Sequence, residues 1–116
     1  MISEETIQRA VELLKVAAAP SRIILFGSYA RGDARETSDL DFLVVKPVVT
    51  ARRREMARLS DVLRPLRVPA DVLVASDRVF EEWRNIPGTV LYEANKDGKV
   101  LYAAECERVA KVHLPR

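Results

Sequence analysis

The chain has a single cysteine, Cys106, and a single histidine, His113, among its 116 residues. No internal disulfide can form, Cys106 has no nucleophile setting around it, and His113 has no companions with which to ligate a metal. Both are read as incidental. Aromatic residues make up only 6%, and Phe80, Trp83 and Tyr92 are read as core rather than as a platform for stacking a nucleobase. No apolar run is long enough for a signal peptide or a membrane span, so residence in the cytoplasm, away from membranes, is the expectation. Neither sign of charge dominates: 19 Lys and Arg against 17 Asp and Glu give a net charge of +2. That balance is too mild to make nucleic acid the main ligand. Repeats and low-complexity linkers are also missing, and a chain of this length fits one domain without room for a second, substrate-binding one.

What is present is concentrated in one stretch. Gly27-Ser28-Tyr29-Ala30-Arg31-Gly32 follows the apolar run Ile23-Ile24-Leu25-Phe26, and Ser38-Asp39-Leu40-Asp41-Phe42 opens another, Phe42-Leu43-Val44-Val45. In an extended strand alternate side chains share a face, which places Asp39 and Asp41 together and Leu40 and Phe42 opposite. With Cα atoms roughly 6.5 Å apart, the two carboxylates repel by about 2 to 3 kcal/mol at an effective dielectric near 20. Protonation of one, hydration of both, or a hard cation such as Mg²⁺ offsets that cost. The apolar run assures good hydration only at its start, and a cation is the sharper explanation.

The glycine-serine turn supplies the complementary half. Gly27 allows a sharp exit from a buried strand and a close backbone approach, and Ser28 offers a hydroxyl and an amide to a phosphate. Tyr29 to Arg31 then form the first turn of a short helix whose amides favour anions, with Arg31 and Arg35 adding positive charge.

The string GSYARGDARETSDLDFLVV resembles the signature of polymerase-beta-like nucleotidyltransferases, and the chain is most similar to the minimal nucleotidyltransferases, many of which are antitoxins of HEPN-domain toxins. The resemblance implies an α/β (α+β) fold, a small mixed sheet with helices packed on it. It also implies ATP as substrate, two Mg²⁺ ions on Asp39, Asp41 and a third acid, and Gly27, Ser28 and Arg31 at the nucleotide. The third acid is expected at Asp71, in the apolar run Val68-Pro69-Ala70-Asp71-Val72-Leu73-Val74; Asp61 lies in a helical pattern and Asp77 at a helix start. The implied activity is metal-dependent transfer of AMP from ATP to a hydroxyl of a HEPN ribonuclease toxin, by an antitoxin that acts as a protein adenylyltransferase. This chain lacks the toxin's Arg-x-x-x-x-His motif. A binding-only antitoxin, or an aminoglycoside-type small-molecule nucleotidyltransferase completed by a second chain, are the alternatives, and an oligomer with the partner is compatible with either.

The remaining elements follow from spacing. A helix capped by Ser3 runs to Pro20, with Ile7, Ala10, Val11 and Leu14 on its apolar face. Strands are expected at Arg22 to Phe26 and Leu40 to Val45, and a helix from about Thr50 to Leu63. That helix buries Met56, Leu59, Leu63 and Ala57, and keeps Arg52, Arg53, Arg54 and Arg58 on its solvated face. Further on come the Asp71 strand, a helix starting at Ser76 or Asp77, a break at Pro87-Gly88, a helix over Thr89 to Ala94, a turn at Asn95-Lys96-Asp97-Gly98 and a strand from Lys99 to Tyr102. Residues 1–104 are taken as the domain and 105–116 as a tail.

Overall fold

A computed structural model describes residues 1–104; Cys106, His113 and the rest of the tail lie outside the described residues. Helix α1 spans Glu4–Ala18, with Thr6 donating its amide hydrogen to the Ser3 hydroxyl at 3.1 Å and Ala19 closing it in the left-handed region. Strand β1 (Arg22–Phe26) leads through the one-turn helix α2 (Ser28–Arg31) to strand β2 (Leu40–Lys46). Helix α3 (Arg52–Val62) and a 3₁₀ turn at Arg64–Leu66 carry the chain to strand β3 (Ala70–Ser76). Helices α4 (Asp77–Trp83) and α5 (Val90–Asp97) precede strand β4 (Lys99–Ala103). The order within the sheet is β3-β2-β1-β4. β1 runs antiparallel to both β2 and β4, while β2 and β3 are parallel, joined by the crossover through α3. The fold is thus mixed α+β.

Each face of the sheet is covered differently. Ile23, Leu25, Leu40, Phe42, Val44, Val72 and Val74 point to one face, where Ile7 and Leu14 of α1, Leu59 of α3 and Leu63 just after it complete the larger core. The opposite face consists of three rows set by the register: Arg22, Val45 and Ala75; Ile24, Leu43 and Leu73; Phe26, Asp41 and Asp71. Phe80, Leu91 and Ala94 from α4 and α5 join the buried residues of the first two rows in a smaller core. The third row, ending in two carboxylates, sits at the open end.

Three expectations need correction. Trp83 is 45% exposed and is not core, whereas Phe80 is buried and receives the Arg84 guanidinium over its ring at 4.8 Å. Asn95, Lys96 and Asp97 are helical, so Gly98 alone makes the turn; a Cβ there would meet the Ala94 carbonyl oxygen at 2.1 Å. Ala57 is exposed rather than part of the buried stripe of α3. Among the described residues no helix is long and apolar enough to cross a membrane.

Helix α3 is held by one carboxylate. Glu55 accepts from Lys46 at the end of β2 and from Arg58 at 2.7 and 2.9 Å, and Arg58 also donates to the Ala17 carbonyl of α1 at 2.8 Å. These bonds hold the Glu55 carboxyl at about 2, well below its ordinary 4.5. A depressed carboxyl stabilises the fold above its unfolded value, and that contribution is lost as pH falls from about 4.5 towards 2. Glu55→Gln is expected to cost about 1 to 2 kcal/mol at neutral pH, after discounting for solvent screening. Urea titrations along a pH series should show the gap from the parent protein closing on the acid side; a gap that stays constant with pH would contradict this origin.

Candidate active site

The site is assembled where three strands meet at the open row. β1 ends at Phe26, paired with Asp41; Asp41 lies directly beside Asp71 across the parallel pair. Neighbouring strands are spaced about 4.8 Å, so both carboxylates rise from adjacent backbone positions on one face. Asp39 stands one residue before β2 and is exposed, as is Asp71 near the start of β3, while Asp41 is half-buried. Burial raises the Asp41 carboxyl above its usual range, the charges of Asp71 and then Asp39 raise it further, and Arg31 pulls it back.

Gly27 closes the other side. Its φ of +74° is a left-handed conformation that favours glycine, and a Cβ there would lie 2.3 Å from the Asp41 Oδ2. The chain therefore turns directly against the carboxylate, and Ser28 opens α2 beside it. Ala30 and Arg31 both donate to the Gly27 carbonyl, at 3.1 and 3.0 Å, so the amides of Ser28 and Tyr29 precede the first helical bonds. The Tyr29 hydroxyl accepts from the Ile2 amide at 3.1 Å, tying this turn to the start of α1. Arg31 is exposed and shares a 3.4 Å ion pair with Asp33; Arg35 is exposed on the following loop.

The donors are hard oxygens, and the central one carries a like-charge cost that a bound cation relieves, so in chemistry the set fits Mg²⁺. Among the described residues, no group of three or more His, Cys, Asp or Glu side chains is drawn into a metal-holding cluster. The strands bring Asp41 and Asp71 side by side; Asp39 approaches from outside the strand. Asp61, on the exposed face of α3, and Asp77, which accepts from the Ser21 hydroxyl at 2.9 Å, take no part in the row.

A cavity of about 640 Å³ opens beside the two paired acids. Phe26, Val72, Leu73 and Val90 give it apolar walls, and α3 contributes Arg53, Met56, Ala57 and Ser60. Arg52, Arg53, Arg54 and Arg58 are exposed, in keeping with a solvated face, and two of them do more: Arg52 donates to the Val74 carbonyl at 2.8 Å, and Arg53 lines this cavity. The signal was available: residues 53, 56, 57 and 60 follow helical spacing along one face.

A sequence profile of the nucleotidyltransferase domain matches residues 4–111. The chain belongs to the nucleotidyltransferase domain family. A Methanocaldococcus jannaschii protein named as a candidate protein adenylyltransferase is 33% identical over 104 residues, covering 88% of this chain and 100% of that one. A chain of the MntA–HpeT toxin–antitoxin crystal structure superposes with a TM-score of 0.59 at 21% identity, over 95% of this nucleotidyltransferase and 80% of that chain. A chain of the complex of tri-AMPylated Shewanella oneidensis HEPN toxin with MNT antitoxin gives 0.53 at 17% identity, over 94% of this chain and 79% of that one. These likenesses establish the polymerase-beta-like fold of the nucleotidyltransferase domain.

Two substitutions test the electrostatics and the close approach. Asp71→Asn removes a like charge, so the Asp41 carboxyl should titrate lower than in the parent protein yet above 3.8, because burial is the larger cause. Carboxyl-carbon NMR in chelator reads this directly; an unmoved Asp41 would refute the coupling. Gly27→Ala places a methyl against the Asp41 carboxylate in a strained backbone and should cost about 1 to 3 kcal/mol in thermal or urea unfolding.

Proposed function

We propose that this nucleotidyltransferase moves AMP from ATP to a hydroxyl of a partner protein, a HEPN toxin that it neutralises. The observation carrying the reading is the row in which Gly27 packs against Asp41 and Asp41 stands beside Asp71. One end of that row attracts anions through backbone amides; the other supplies carboxylate oxygens. A polyphosphate bound with a hard cation is complementary to both.

In this reading Gly27 and Ser28 seat the β- and γ-phosphates and Arg31 offsets their charge. Asp39, Asp41 and Asp71 would hold Mg²⁺, which supplies charge stabilisation at the transferring phosphoryl group. The hydroxyl oxygen of the acceptor bonds to the α-phosphorus while the bond from that phosphorus to the bridging oxygen breaks, and pyrophosphate leaves. Asp71, exposed at the head of β3, accepts the hydroxyl proton and orients its oxygen. Residues 1–104 form the transferring domain and 105–116 a tail to it. A protein acceptor is supported by the adenylyltransferase name of the archaeal relative and by the AMPylated toxin in the Shewanella complex.

The test is direct. Incubation of the chain with ATP, Mg²⁺ and a HEPN toxin partner should add AMP units detectable by intact-protein mass spectrometry. Asp39→Asn combined with Asp41→Asn should lower the rate about a thousandfold or more, since several kcal/mol of charge stabilisation are removed. Undiminished neutralisation by that double variant, with no adduct on the toxin, would make the chain a binding-only antitoxin.

A further inference from the structure

We propose that the acceptor reaches the site across the exposed edge of β3, and that Arg53 seats it by pairing with carboxylates that flank the modified hydroxyl. The inference rests on the transfer reading and assigns its acceptor side. In-line displacement requires the attacking oxygen and the leaving pyrophosphate on opposite sides of the phosphorus. The row runs from Gly27 and Ser28 at the end of β1, through Asp41 on β2, to Asp71 on β3. With pyrophosphate leaving on the β1 side, the acceptor enters beyond Asp71. In that direction β3 is the edge strand among the described residues, and the cavity shared by Asp41 and Asp71 continues onto α3.

The wall met there is Arg53, Met56, Ala57 and Ser60. Of the other arginines of α3, Arg52 is committed to the Val74 carbonyl and Arg58 to Glu55 and Ala17, and Arg54 lines a separate cavity with Lys46 and Glu55. Among the described residues, Arg53 takes part in no ion pair or side-chain hydrogen bond, so its guanidinium is the cation at hand for an incoming carboxylate. The Glu55 clamp fixes α3 against β2 and α1, so the wall stands ready before the acceptor arrives. A cavity of about 640 Å³, open at the sheet edge, admits the hydroxyl-bearing side chain of a polypeptide segment, with the flanking residues at its rim, where Arg53 is exposed. The occupant is therefore an acceptor segment of acidic character.

The experiment uses the full-length chain with Mg²⁺ and α-labelled ATP, and two peptides: a tyrosine flanked on both sides by Gly-Glu-Glu, and the same tyrosine flanked by Gly-Lys-Lys. The acidic peptide should be labelled about tenfold more efficiently, as one well-placed charge pair permits. Arg53→Ala should raise the KM for the acidic peptide about tenfold, Arg53→Lys should restore most of it, and Arg53→Glu should reverse the preference. The KM for ATP should stay within about twofold throughout, because the phosphates lie at the other end of the row. Labelling without peptide preference, or with a preference unaffected at position 53, overturns this inference alone. A rise in the KM for ATP instead of that for the peptide also overturns it, by moving Arg53 to the triphosphate. No labelling of either peptide or of a HEPN toxin overturns the transfer reading and this inference together.

Discussion

The pairing of β2 between an antiparallel and a parallel neighbour is the constraint on which the rest depends. Leu40, Phe42 and Val44 fill the core beneath α1 and α3, while Leu43 and Val45 fill the smaller core beneath α4 and α5. A strand buried on both faces has no spare register, because a shift of one residue would bring Asp41 into the larger core. The same apolar packing that stabilises the sheet thereby fixes Asp41 opposite Phe26 and Asp71. Catalytic-type geometry here is a by-product of hydrophobic alternation, with acids substituted only at the open row.

That substitution has a cost. Asp41 is half-buried and surrounded by like charge, so the fold holds a carboxylate in a place that disfavours its ionised form. An apolar residue there would continue the Leu43 and Val45 side of β2 and strengthen the sheet. Its presence fits the general tendency of binding sites to be local weak points supported from elsewhere. The support comes from the larger core and from the Glu55 clamp, which binds α3 to the ends of β2 and α1 without touching the acids.

Much of this was legible in the sequence because it rests on local rules. Strand alternation, the Ser3 cap, and the Gly27-Ser28 and Asp39-Leu40-Asp41 spacing are short-range signals, and even Asp71 stood out as the lone charge in an apolar run. What stayed hidden depends on strand order or on marginal helices. Trp83 lies on a two-turn helix, where the spacing from Phe80 does not reveal which side faces the sheet. The arginines of α3 look equivalent in sequence; only the edge position of β3 separates Arg52, spent on a strand carbonyl, from Arg53, beside the cavity. Before β4, Asn95 and Asp97 are turn formers by propensity, yet packing of Leu91 and Ala94 carries the helix through to Asp97.

On the proposed reading, the edge position of β3 also bears on what a partner protein adds to the site. Were the third acid on a central strand, the chain's own backbone would flank it on both sides, and a substrate would have to descend from above. Asp71 instead borders open space, with a wall of α3 on the far side and, among the described residues, no further strand beyond it. Water is excluded from such a site only when another surface covers it, and charge stabilisation strengthens as water leaves. A protein acceptor does both at once: it brings the hydroxyl and closes the cavity. On the proposed reading, the acceptor is thus part of the catalytic environment, and productive transfer depends on docking as much as on the carboxylates.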